Sequence, residues 1–322
     1  MTRKRLARGA VTVVVLAVVA YFFGRGLADN WDAVREIDVR VNGWTVAAVV
    51  LFAAAVVLSG LLWGAVLEHL GDVHVGRLEA VRVQCASWLL KYIPGQVGSV
   101  ANKVVWGAGR GISRTLVVIT FVYENVFLLI GSIVPAVVVL AFADAFTDPS
   151  ADLVQALLPA LLALVPLLLV MDRRVFRWGL NLVARRAIKR DVPHEYFLSP
   201  ARSLRYQLEF LLPRVLNGVG FVLIAVSFLD VPASAYLPLA AAYVLAGAVG
   251  IMAVFVPSGL GVREGVVVLL ASRYMPVEQA IVLSLVARLL STVGDGVVAL
   301  VYAALKARSL RTARRLKEGR PA

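Results

Sequence analysis

The sequence predicts an all-α, polytopic membrane helix bundle, and three observations carry that prediction. First, the 322 residues are 60% hydrophobic and only 16% charged, with mean hydropathy +0.84, whereas soluble chains run near half and a quarter. Second, the apolar residues fall in runs of membrane-spanning length. Third, 26 of the 33 Lys and Arg residues sit in four segments beside those runs. The longest polar stretch, 172 to 205, has 34 residues, short of the roughly 40 with which an unstapled chain buries a core of its own. A soluble catalytic domain is therefore excluded, and 1–322 reads as a single integral membrane domain.

The runs lie at about 9–27, 44–67, 115–143, 151–171, 206–229, 236–256 and 276–305. Two further apolar segments, 84–106 and 257–274, are short, glycine-interrupted and charged, so each suits a broken or re-entrant helix. This makes seven or eight crossings. Basic residues concentrate at 1–8, 68–114, 172–205 and 306–322, while 144–152 carries three aspartates and no Lys or Arg. Positive charge is retained inside, which places both termini in the cytoplasm and requires an even number of crossings. The eighth is assigned to 262–274, with 84–106 dipping in from the cytoplasmic side, although these two assignments can be exchanged. The first run, behind Arg3-Lys4-Arg5, is read as an uncleaved anchor, with a cleaved signal peptide as its rival. The segment 172–205, with Phe176 and Trp178 among nine basic residues, suits an interfacial helix on anionic headgroups. The net charge of +13 follows from basic residues beside membrane spans. It implies a membrane partner and no nucleic acid.

Two segments share a pattern. Tyr92-Ile93-Pro94-Gly95-Gln96-Val97-Gly98 and Phe255-Val256-Pro257-Ser258-Gly259-Leu260-Gly261 each give an aromatic, a β-branched residue and Pro-x-x-x-Gly, and each leads into a long apolar helix. Glu124 stands 30 positions after Pro94, and Arg288 stands 31 after Pro257. Repeats at about 84–143 and 250–305 follow. By the topology above the helix of Glu124 runs outward and that of Arg288 inward, so the repeats are inverted, as in many transporters.

The breaks are also where chemistry is expected. A Pro-Gly break before a helix leaves N–H groups that can hold an anion. Ser99 and Lys103 accompany the first break; Ser258 and Arg263 accompany the second. Close helix packing through glycine is the other reading of both, and it is the preferred one for Gly60 and Gly64. Ionisable residues within the bilayer face a cavity or a partner. For Glu124 and Arg288 two readings stand, a mutual ion pair tying the repeats together and a headgroup-binding or proton-coupling role. Asp295 follows Arg288 by seven residues and shares its helix face. Glu209 and Arg214 are read as snorkelling near a span end. Arg263 and Glu264 flank the second break.

Enzymatic signatures are lacking. Gly107-Ala108-Gly109-Arg110-Gly111 has no preceding strand and no Lys-Ser/Thr, and neither a nucleophile elbow nor a zinc-protease pair occurs. His69 and His74 are five apart and do not share a helical face, so no metal is expected. The single cysteine, Cys85, reads as a core residue.

The stretch Lys91 to Gly98 and the more specific Val256-Pro257-Ser258-Gly259-Leu260-Gly261-Val262-Arg263-Glu264-Gly265, followed by Arg288, resemble the transmembrane domain of lysylphosphatidylglycerol synthases, the flippase-like family. The resemblance spans most of the chain. It implies a bacterial inner-membrane protein that moves a phosphate-bearing lipid, either an aminoacylated phospholipid or a polyprenyl-phosphate conjugate, without a cofactor. It places Pro257, Gly259, Gly261, Arg263, Glu264 and Arg288 in the functional core, with Pro94 and Gly98 as first-repeat counterparts. Full-length synthases carry a soluble transferase, and this chain ends 17 residues after the 276–305 run. Synthase activity is therefore not expected from it. The expected function is lipid translocation, with an intramembrane enzyme or non-catalytic subunit of polyprenyl-phosphate sugar metabolism as the alternative. A homo-oligomer or a separate synthase partner fits either.

Overall fold

The structure, a computed structural model, describes residues 41–92, 97–147, 162, 165, 174–178, 181, 193–253 and 259–317. The runs at 9–27 and 151–171, apart from residues 162 and 165, lie outside these residues. So do Pro94, Pro257 and Ser258.

Caps and glycines mark several helix ends, while Pro135 and glycines such as Gly60 and Gly64 lie within unbroken helices. The first, α1 (Gly43–Gly71), begins at Asn42, whose side chain accepts from the Trp44 and Thr45 N–H groups while Thr45 caps Asn42 in return. It stops at Asp72 in the left-handed conformation, φ 47°. Next, α2 (Arg77–Leu89) runs into a single 3-10 turn, Leu90–Tyr92, and α3 (Val97–Ala108) returns beside α2. The 34-residue α4 (Arg114–Thr147) follows.

A second group of helices follows. A short α5 (Pro200–Glu209) joins α6 (Leu211–Phe228) through the fully buried Phe210. Then come α7 (Tyr236–Met252), α8 (Val262–Ala271) and the 41-residue α9 (Val277–Lys317). Helices α1 to α4 make up the first half of the described chain, and α5 to α9 the second.

The packing is reciprocal. The first short helix of each half lies on the long helix of the other, α2 on α9 and α7 on α4, while α1 and α6 pack on each other. Close approach between α1 and α2 rests on glycine. A Cβ at Gly60 would stand 2.7 Å from Gln84 Cβ, and one at Gly64 would stand 2.7 Å from Ala80 Cβ, as small-residue contacts between membrane helices require. Cys85 is buried beside Ala53, Val56 and Val298.

Among the described residues, five stretches are long and apolar enough to cross a membrane: Gly43–Gly71, Arg114–Ala143, His194–Phe228, Ala233–Met252 and Val277–Arg311. They match five of the seven runs. The protein is a multi-pass, all-α membrane bundle. One expected crossing does not match: α8 has ten residues, about 15 Å of helix against a hydrocarbon thickness of about 30 Å. Hydropathy did not show this because apolar composition says nothing of where a helix turns.

Of the 172–205 segment, Arg174 to Trp178 is helical. Phe176 packs on Tyr123 at 4.7 Å and on Phe197 at 6.3 Å between ring centroids, while Trp178 is exposed.

Candidate functional site

A cavity of about 580 Å³ lies between the two halves, within the size range of small-molecule and cofactor sites. From the first half it is lined by Ser59, Gln84, Trp88, Lys91, Ser99, Lys103 and Glu124. The second half contributes Arg214, Asn217, Tyr243, Gly259, Arg263 and Asp295.

The first-half charges are anchored inward. Lys103 and Glu124 are 1% and 4% exposed and form an ion pair between α3 and α4. Gln84, pressed onto Gly60, donates from Nε2 to Glu124 Oε1 at 2.6 Å. The Lys103 ammonium also sits 4.2 Å over the Trp63 ring, a contact that partly replaces lost hydration. Ser99 donates to the Ser87 carbonyl at 2.7 Å, binding α3 to α2. The hydroxyl and cation of the first break are thus committed to the protein, and Gly98 is buried in the first turn of α3.

The second break is built differently. The chain after α7 folds back on itself, and Gly259 has φ 63° with room for no Cβ, since one would meet Gly250 Cα at 2.7 Å. Gly261, at φ 80°, precedes α8, and its N–H is taken by the Glu264 carboxylate. Glu264 Oε1 faces Arg288 Nη1 at 3.5 Å. At Gly261, then, the anion expected on the open N–H is a side chain of this protein.

These contacts replace the anticipated Glu124–Arg288 pair. Glu124 meets Lys103 and Arg288 meets Glu264, each pair joining a short helix to the long helix of its own half. Asp295 shares α9 with Arg288 but reaches the first half instead. It accepts from Lys91 Nζ at 2.7 and 2.8 Å and from Trp88 Nε1 at 2.7 Å.

Two cavity residues remain without a carboxylate partner among the described residues, Arg214 and Arg263. Arg263 lies 4.4 Å over the Tyr243 ring, which stacks in turn on Phe221 and Phe52. Among the described residues, Arg214 Nε is buried with no hydrogen-bond partner, as is Gln84 Oε1. Arg214 was read as snorkelling. The signal that marks it is an arginine behind Pro213 inside an apolar run, a guanidinium that must find an acceptor in the membrane.

Fold and site together define a helical membrane protein with a largely apolar cavity between two halves, in which basic side chains outnumber acidic ones. A family model described as Lysylphosphatidylglycerol synthase TM region matches residues 6–299, and the chain belongs to that family. Comparison with curated proteins gave no match. Family membership supports a membrane protein related to lipid metabolism or translocation.

Proposed function

We propose that the protein translocates a phosphate-bearing lipid across the bacterial inner membrane, with the headgroup passing through the cavity between the halves. The carrying observation is the charge balance of that cavity. Both of its carboxylates, Glu124 and Asp295, are held by lysines, while Arg214 and Arg263 have no carboxylate partner among the described residues. An uncompensated guanidinium in low dielectric is costly until an anion meets it, and guanidinium is the side chain suited to phosphate. Gln84 Oε1 adds an open acceptor for a hydroxyl or amine of the headgroup.

The same reading covers topology. The reciprocal packing of α2 on α9 and α7 on α4 supports an inverted repeat extending beyond 84–143 and 250–305, to about 43–147 and 211–317. Each pair of short helices, α2 with α3 and α7 with α8, then forms a re-entrant hairpin. With 236–252 forming one arm of such a hairpin, the crossings are 9–27, 43–71, 114–143, 151–171, 194–228 and 277–311. That is an even number, consistent with two cytoplasmic termini.

The test is headgroup accessibility of fluorescent phosphatidylglycerol, polyprenyl phosphate and phosphatidylcholine in proteoliposomes of the purified chain. Translocation of one phosphate lipid, lost in Arg214→Gln and Arg263→Gln but not through unfolding, is the expected result. Movement unaffected by either substitution would remove the cavity from the mechanism, and a new covalent product would favour an enzyme.

A further inference from the structure

Three ion pairs mark the core among the described residues, and they differ in what they join. Lys103–Glu124 and Glu264–Arg288 each lie within one half. Lys91–Asp295 joins the halves, from the 3-10 turn after α2 to the middle of α9. It is also the more open of the two lysine pairs, at 21% and 12% exposure, and both residues line the cavity. Asp295 presents both oxygens to Lys91, and the Trp88 indole N–H adds a third bond. A carboxylate bound in this way resembles a phosphate held by an ammonium and an N–H donor.

We infer that Asp295 occupies Lys91 as an internal stand-in for the headgroup anion, and that a lipid phosphate entering the cavity takes Lys91 from it. Lys91 is then a third cation of the headgroup site beside Arg214 and Arg263. Arg263 and Lys91 line the same cavity, so an anion between them draws both. The exchange swaps one anion for another at Lys91 and releases an ion pair between the halves. The Lys103–Glu124 pair is unsuited to this role because it is almost fully buried and joins helices that belong to one half. The inference rests on the anion-binding cavity proposed above.

Its signature is a pair of opposite effects. Equilibrium titration of the full chain in detergent with short-chain phosphatidylglycerol, with phosphatidylcholine as reference, reads it out. Asp295→Asn frees Lys91 and is expected to tighten phosphatidylglycerol binding about tenfold, and Lys91→Gln to weaken it about tenfold, the scale of losing one close charge contact. The double variant decides the mechanism. Competition for Lys91 requires that the gain from Asp295→Asn vanish in the Lys91→Gln background, whereas simple repulsion by Asp295 leaves that gain in place and overturns the inference. Weakening by both single variants, as for a pair that only holds the halves together, overturns it as well. Should Asp295→Asn fail to fold, Asp295→Ser carries the same expectation. Arg214→Gln separates the two levels. If the wild-type chain prefers phosphatidylglycerol and Arg214→Gln abolishes the preference, a silent Asp295→Asn defeats the exchange alone. If the wild-type chain has no such preference, cavity and exchange fall together.

Discussion

The short and long helices after each break carry an ion pair in both halves, but with the signs reversed. In the first half the short helix supplies Lys103 and the long helix Glu124; in the second the short helix supplies Glu264 and the long helix Arg288. What differs is how each is solvated. Lys103 and Glu124 are sealed together, with Gln84 and Trp63 completing their shell. Glu264 divides its carboxylate between the Gly261 N–H and a longer contact to Arg288. The comparison teaches that equivalent positions in the chain need only hold some pair, and that the sign is free.

That comparison can be broken or sharpened by substitution. The largest effect belongs to the sealed pair. Glu124→Leu leaves the Lys103 ammonium buried and unpaired, and thermal unfolding in detergent should show a loss of about 3–5 kcal/mol, most of which Lys103→Met restores when both changes are made. If the double variant is no better than the single, the pair is not the reason for the loss. At the second break, Gly259→Ala combines a left-handed φ with a clash on Gly250 and should cost about 1–3 kcal/mol, read by the same unfolding experiment. The looser pair comes next, since Arg288→Gln leaves Glu264 its bond to Gly261 and should destabilise by about 1–2 kcal/mol, a charged hydrogen bond's worth. A loss as large as that of Glu124→Leu would contradict the contrast drawn between the halves.

Smaller still, and opposite in sign, is the expectation for Arg214. Removing a cavity charge that has no carboxylate partner should leave stability unchanged or raise it by about 1 kcal/mol while transport falls, the pattern of a binding residue and not of a structural one. Least of all, Glu209→Gln breaks only the i,i+4 contact with the exposed Arg205; no measurable shift in the unfolding midpoint is expected.

Five of the seven hydropathy runs coincide with described helices. Of the expected site, Ser99, Lys103, Glu124, Gly259, Arg263 and Asp295 do line the cavity. Their number from the break and their charge inside an apolar run were enough to mark them. The pairing was not readable in the same way. Residues 124 and 288 are matched in spacing, and that match suggests partnership, but spacing along a chain does not say which helices become neighbours. Each finds its counter-charge on the neighbouring short helix instead.

By itself the sequence determined that this is a membrane bundle, where its helices break, which ionisable residues must be accommodated within it, and the family to which it belongs. Those follow from local composition, from the hydrogen-bonding needs of a backbone in lipid and from short motifs. Only the tertiary structure decided which charge neutralises which. It also separated Lys91–Asp295, which joins the halves, from the two pairs inside them, and it brought Arg214 and Arg263 to a cavity whose two carboxylates, Glu124 and Asp295, are held by lysines. Those outcomes depend on which helices become neighbours in three dimensions, and a Coulomb interaction that falls with distance cannot be assigned from positions along a chain.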